Sequence, residues 1–158
     1  MGRSRGVDPD LRARLGTQIE AVPRLLAGVS PAALSLRPSP GKWSAHQNLA
    51  HLARYHEMFL ERLRRILEED RPALARYRAE DDPEWPRFEA LSTPEVLSVL
   101  TSRRAELVHL VDRLDADDLL RVGLHRAFGP LAVPGWIEFF LLHEAHHLYA
   151  VMLRLHGV

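Results

Sequence analysis

Leu141-Leu142-His143-Glu144-Ala145-His146-His147-Leu148-Tyr149 holds three of the chain's nine histidines inside one apolar run. Ile137, Leu141, Leu148 and Leu155 recur at helical spacing, so the run reads as the middle of a helix. There, His143 and His147 stack on one face, with Cβ atoms roughly 5–6 Å apart. Two imidazoles so placed can lean onto one ion at Zn–N distances of about 2.0–2.1 Å. A hydrogen-bonded pair in the core would show the same spacing. His146 points away from both. Two nitrogens do not make a site, so a third ligand has to come from elsewhere.

This helix starts at Pro134 and runs to about Leu155, apolar almost all round through Trp136, Phe139, Phe140, Val151 and Met152. Such a helix is buried on several sides or sits at a subunit contact. Before it, residues 123–133 with Gly129-Pro130 predict an irregular or hairpin-like connection, and Asp117 to Leu120 an extra turn. Thr93-Pro94-Glu95 opens a third helix, with Val96, Leu97, Leu100, Leu107, Leu110, Val111 and Leu114 as its apolar positions. Residues 70–92, rich in Pro, Asp, Glu and Arg, predict a long connection with one short helix near Ala73–Ala79. It is either a functional lid or a linker whose Trp85 and Phe88 pack down.

The second helix opens at Ser44, where Ser44-x-x-Gln47 is a capping box. Its stripe is Leu49, Leu52, Phe59, Leu63 and Ile66 or Leu67, and it ends near Asp70, before Pro72. Ser30-Pro31 starts a short turn of helix through Leu34. Asp8-Pro9 opens the first helix, with Pro23 predicted to kink it and Gly28 to stop it. Four long helices with few strand signals give an all-α, up-and-down-type four-helix bundle, one domain over 1–158 with a long connection between helices 2 and 3.

A chain of 158 residues buries roughly 68–70% of its unfolded surface, enough for a core without metal staples. A metal would therefore be functional. Lys+Arg and Asp+Glu both number 21, for zero formal net charge. Arg62, Arg64, Arg65, Arg71, Arg76 and Arg78 interleave with Glu57, Glu61, Glu68, Glu69, Asp70 and Glu80, so no basic stripe for nucleic acid develops. With no cysteine, thiolate ligands and disulfides are excluded, and a thiol would have to arrive as substrate. Met1-Gly2-Arg3-Ser4-Arg5-Gly6 lacks the apolar core of a signal peptide, and Gly6 stands where acylation of Gly2 wants Ser or Thr. No run approaches 18 apolar residues. A cytoplasmic protein is expected.

His143, Glu144 and His147 match H-E-x-x-H, in which two histidines bind zinc and the glutamate is general base. The extended motif fails, because Ala150 and Leu153 stand where it needs Gly and His. No acidic residue follows Glu144, so the third ligand is expected upstream, among His46, His51, His56, His109 and His125. Periodicity favours His56, nearest the centre of the second helix's stripe; His51 lies about a quarter turn or more off it. The residues alone leave that choice open.

Ser30-Pro31-x-x-Leu34, Arg37-Pro38-Ser39-Pro40-Gly41-Lys42-Trp43-Ser44 and Leu49-Ala50-His51-Leu52 resemble the first half of DinB/YfiT-like proteins. His143-Glu144-Ala145-His146-His147, Leu153-Arg154-Leu155 and Gly157 resemble their last helix. The resemblance implies a three-histidine site of His51, His143 and His147 in a four-helix bundle, often dimeric, holding zinc, nickel or a similar divalent ion. It implies a metal-dependent transferase acting with a thiol such as bacillithiol or mycothiol; one branch isomerises maleylpyruvate. The sequence departs from the family in having His56 where an acidic residue is common, and His46 and Tyr149 at variable places.

Three neutral imidazoles with an open position suit catalysis, with a thiol as nucleophile on a small-molecule electrophile, and a homodimer is expected. Hydrolysis by hydroxide and a non-enzymatic metal-binding stress-response role compete with it. Glu144 has two expected roles, orienting a ligand histidine or pairing between helices. Tyr55 and Trp43 are candidates to line the pocket.

Overall fold

The computed structural model describes residues 6–158; the signal-sequence and acylation readings of residues 1–5 lie outside them. Asp8 accepts from the backbone N–H groups of Asp10 and Leu11 and, with Pro9 behind it, opens α1 (Pro9–Thr17). The expected break at Pro23 falls earlier. Proline's ring clashes with the carbonyl four residues back, here that of Ile19. The chain accordingly tightens through a 3-10 turn at Gln18–Glu20 and resumes as α2 (Ala21–Leu26). Gly28, at φ +73°, closes this segment in the left-handed conformation that glycine adopts without strain. Ser30 caps a short α3 (Pro31–Ser35). α4 (Ala45–Glu68) opens on the expected capping box: Ser44 Oγ accepts from the Gln47 N–H, and Gln47 Oε1 from the Ser44 N–H.

No helix forms near Ala73–Ala79, contrary to the sequence pattern. Ala73–Leu74 is instead a two-residue strand, β1, followed by a 3-10 turn at Ala79–Asp81 and α5 (Trp85–Glu89). The carbonyls that a helix would need are already taken: Leu124 donates to that of Pro72 at 2.9 Å, and Arg62 to that of Ala75 at 2.5 Å. α6 (Thr93–Val111) has Ser92, not Thr93, as its cap, because Glu95 then sits where it closes a capping box. That frees the Thr93 hydroxyl for His46 Nδ1, 2.9 Å away. The expected extra turn is α7 (Ala116–Leu120).

The hairpin-like connection is a true hairpin of β2 (Val122–His125) and β3 (Gly129–Ala132), with β1 added parallel to β2 so that Leu74 pairs with His125. Gly123 lets the hairpin dock: a Cβ there would stand 2.8 Å from the Ile66 side chain and 2.9 Å from Trp136 Nε1. α8 (Val133–Leu155) completes the all-α bundle. α4 packs along both α6 and α8, while α1 lies against α8 and α6. α1 and α4, the first two helices of the four-helix bundle, therefore lie diagonally across it, which the segment carrying α2 and α3 between them permits. α8 leaves Leu142, Tyr149 and Met152 exposed. Among the described residues no helix is long and apolar enough to cross a membrane.

The core is two apolar clusters separated by a polar layer. One gathers around Leu15, Phe59, Leu107 and Leu141, the other around Val22, Leu49, Leu100 and Leu148. Between them lie Gln18 from the 3-10 turn after α1, His56 from α4, Arg104 from α6 and Glu144 from α8. Glu144 accepts from Gln18 Nε2 and from Arg104 Nη2. Arg104 also donates to the Leu15 carbonyl at 2.7 Å and to His56 Nε2 at 3.2 Å. His56 Nδ1 donates to the Leu52 carbonyl at 2.7 Å, so its Nε2 lone pair faces Arg104.

Burial, then the Arg104 charge, lowers the His56 pKa to about 3. A base whose pKa falls on folding binds its proton more tightly in the unfolded chain, so it destabilises the fold as pH drops. The effect is absent above the unfolded value of about 6.5 and grows by about 1.4 kcal/mol per pH unit below it. Urea unfolding between pH 7 and pH 5 should therefore show a slope that His56→Gln reduces by about one proton. An unchanged slope would mean that His56 is not held neutral.

Candidate metal centre

The capped α4 carries Asn48, His51, Tyr55 and Arg62 along one stripe, and α8 lays His143 and His147 against it. His51 Nε2 and His143 Nε2 stand 3.2 Å apart. The ring centroids of His51 and His147 are 4.3 Å apart, those of His143 and His147 4.7 Å. One nitrogen from each of the three lies within 4.8 Å of the others.

His147 is fixed from behind. Asn48 Nδ2 donates to the Ser44 carbonyl at 2.8 Å, which turns Asn48 Oδ1 toward His147 Nδ1, also at 2.8 Å. Nδ1 therefore carries the proton and the Nε2 lone pair is free to ligate. Two nitrogens on a tetrahedral zinc at about 2.05 Å would lie about 3.3 Å apart, close to the His51–His143 separation. A hydrogen bond between those two would use only two of the three nitrogens. One cation of zinc's size uses all three. The donor set therefore fits a divalent metal.

Burial, reinforced by neighbouring histidines, depresses the three pKa values: to about 3 for His51, about 2 for His143 and about 4 for His147. All three are neutral at pH 7, the form that ligates metal. Aromatic rings wall the site. Tyr55 stacks on His143 at 3.8 Å, Trp43 lies 5.0 Å from His51, and Trp85 stacks on Trp43 at 5.2 Å. The connection between α4 and α6 thus packs its Trp85 over the site and buries Phe88. A cavity of about 1170 Å³, reached by Trp43, Tyr55, Tyr77 and His125, opens in front of the histidines.

The structure thus joins His51, not His56, to His143 and His147. His56 belongs to the polar layer, His46 bonds Thr93 and the Glu89 carbonyl, and His109 is exposed. His146 and His125 reach the cavity but not the cluster. Glu144 takes the second of its two expected roles: it faces inward to Arg104 and Gln18 and makes no hydrogen bond to a clustered histidine. Tyr55 and Trp43 do line the cavity. Asn48, Tyr77 and Arg62 were not singled out as site residues by the sequence. Asn48 alone had a local signal, one turn before His51 on the same face.

A profile of the DinB superfamily matches residues 14–151. The chain belongs to the DinB superfamily. YfiT from Bacillus subtilis, described as a probable metal-dependent hydrolase with an unusual four-helix bundle topology, superposes with a TM-score of 0.77 at 16% identity, over 98% of this chain and 91% of its own. TT2238, a four-helix bundle protein, superposes with a TM-score of 0.64 at 30% identity, over 89% of this chain and 94% of its own. A protein of Oceanobacillus iheyensis, named provisionally as a metal-dependent hydrolase, is 27% identical over 137 residues, covering 83% of this chain and 78% of its own. These likenesses extend over most of the bundle of this DinB-superfamily chain.

Proposed function

We propose that His51, His143 and His147 hold one divalent ion, zinc or nickel, and that the protein transfers a low-molecular-weight thiol to a small electrophile. The observation that carries this is three neutral imidazole nitrogens converging at an open cavity in which, among the described residues, the one lining carboxylate is the exposed Glu80. When bound, the ion supplies the Lewis acidity that makes a thiol or a water nucleophilic near neutral pH. A thiol, with an ordinary pKa near 8.5, gives up its proton more readily than water, at about 15.7, so it depends less on a neighbouring base. Glu144 is unavailable as that base, being tied to Arg104, and Asp82 is held by Arg54 and Tyr77. Among the described residues the one carboxylate lining the cavity is Glu80, which is exposed.

In the reaction, the carbon–sulfur bond forms as the bond to the leaving group breaks. The leaving group departs with the electron pair and the thiol proton passes to solvent. Asn48 holds His147 in its ligating tautomer, and the Trp43, Tyr55 and Trp85 rings limit water around the reacting atoms. Metal-dependent hydrolysis is the second reading, favoured by the names of YfiT and of the Oceanobacillus relative, with Glu80, His125 and His146 as the cavity-lining candidates for a base. Zinc-loaded protein assayed on activated haloarenes and esters, with and without bacillithiol or mycothiol, separates the two. Turnover should require the thiol; ester cleavage indifferent to thiol would overturn the transferase reading and support hydrolysis.

A further inference from the structure

Among the described residues four arginines, Arg62, Arg76, Arg78 and Arg126, line the cavity against the single carboxylate of Glu80. Arg78 is paired with Asp81 at 3.4 Å on the surface. Arg62 differs from the others. It is 8% exposed, yet no carboxylate pairs with it among the described residues. Its Nη2 donates to the Ala75 carbonyl and its Nη1 to the Tyr55 hydroxyl at 3.4 Å. A guanidinium has five N–H groups, so three remain without a protein acceptor. Its charge lies over the Tyr55 and Trp136 rings, with Cζ 6.0 and 5.8 Å from their centroids. Ring faces offset only part of the cost of burying an unpaired cation.

The surroundings add a second donor. His125 Nδ1 accepts from the N–H groups of Ala127 and Phe128, both at 3.1 Å, so its proton sits on Nε2. His51, Tyr55 and Arg62 share one stripe of α4, and the eleven residues from His51 to Arg62 span about 16 Å of helix axis. Tyr55 fills the interval, its ring on His143 and its hydroxyl on Arg62. We infer that the cavity binds an extended small molecule carrying an oxyanion, carboxylate or phosphate, at Arg62, with its reacting group at the three histidines. A guanidinium fork suits either oxyanion, and the exposed Arg76 and Arg126 add attraction at the mouth. The inference rests on the metal reading only for where the reacting end lies; the anion subsite needs no metal.

The test is an NMR titration of the Arg62 Nε–H and Trp136 Nε1–H signals in metal-free and zinc-loaded protein, with succinate in one arm and methyl phosphate in the other. Saturable shifts are expected in both forms, the tighter arm naming the oxyanion. Arg62→Met should weaken binding at least tenfold at unchanged zinc stoichiometry. Arg62→Lys, which keeps the charge and guards against a misfolded Met variant, should fall between. Arg113→Met, an equal charge removed from an exposed site away from the cavity, should bind like wild type. No saturable shift in wild type, full binding by Arg62→Met or Arg62→Lys, or an equal loss in Arg113→Met would overturn the inference. The first two would leave Arg62 as a tie between α4 and β1. Anion binding by a protein that takes up no zinc would instead refute the metal reading and leave this one standing.

Discussion

His51→Ala is expected to purify without its metal, while His56→Gln retains the wild-type stoichiometry. Both residues lie in α4 and both are buried, at 5% and 0% exposure, so loss of packing alone would not separate them. Their surroundings do. His51 Nε2 faces His143 Nε2, whereas both ring nitrogens of His56 are engaged by the Leu52 carbonyl and Arg104. Removing one of three ligands leaves only the helical pair, whose affinity should fall beyond the reach of a purification. Asn48→Ala should be milder, weakening metal by about 10–100-fold, the usual effect of losing a group that orients a ligand. Metal analysis of the purified variants and chelator competition would measure both. Full metal in His51→Ala together with loss in His56→Gln would overturn the assignment.

The contrast between these two histidines also explains what the sequence could reveal. Periodicity finds the side of a helix that faces the core, and it pointed to His56, which lies at the centre of the bundle. A site that must admit a substrate cannot sit there. It lies off the stripe, where α4 and α8 meet the cavity, and there His51 looks like any flank residue. Resemblance to a family supplied that choice; spacing did not. The helices and caps were legible because Ser44, Gln47 and Gly28 act locally. The small sheet was not, because a two-residue strand such as Ala73–Leu74 owes its form to partners some fifty residues away. Arg62 was hidden for a related reason: interleaved with acidic residues along the chain, it looked neutralised, but in space none of them pairs with it.

Glu144→Ala should lower stability by about 3–5 kcal/mol, the cost of stranding one half of a buried ion pair. Arg104 would keep the Leu15 carbonyl and His56 but lose its only carboxylate, in a layer where Arg104 is 3% exposed and Glu144 fully buried. Against a total of about 5–15 kcal/mol for a domain, that is a fifth or more of what holds the bundle, visible as a midpoint lowered by roughly 10 °C. Glu144→Leu combined with Arg104→Met should be less damaging than either change alone, since apolar groups of similar volume can replace such a pair at little cost. The site gives this measurement a further meaning. Glu144 lies between His143 and His147 on α8, so its tie to Arg104 bears on the rotation that points both histidines at His51. If the double variant recovers stability but binds metal more weakly than wild type, the polar layer serves to aim α8 rather than to hold the bundle together. Equal metal affinity in the two proteins would show that packing around Phe140 and Leu141 suffices to set that angle.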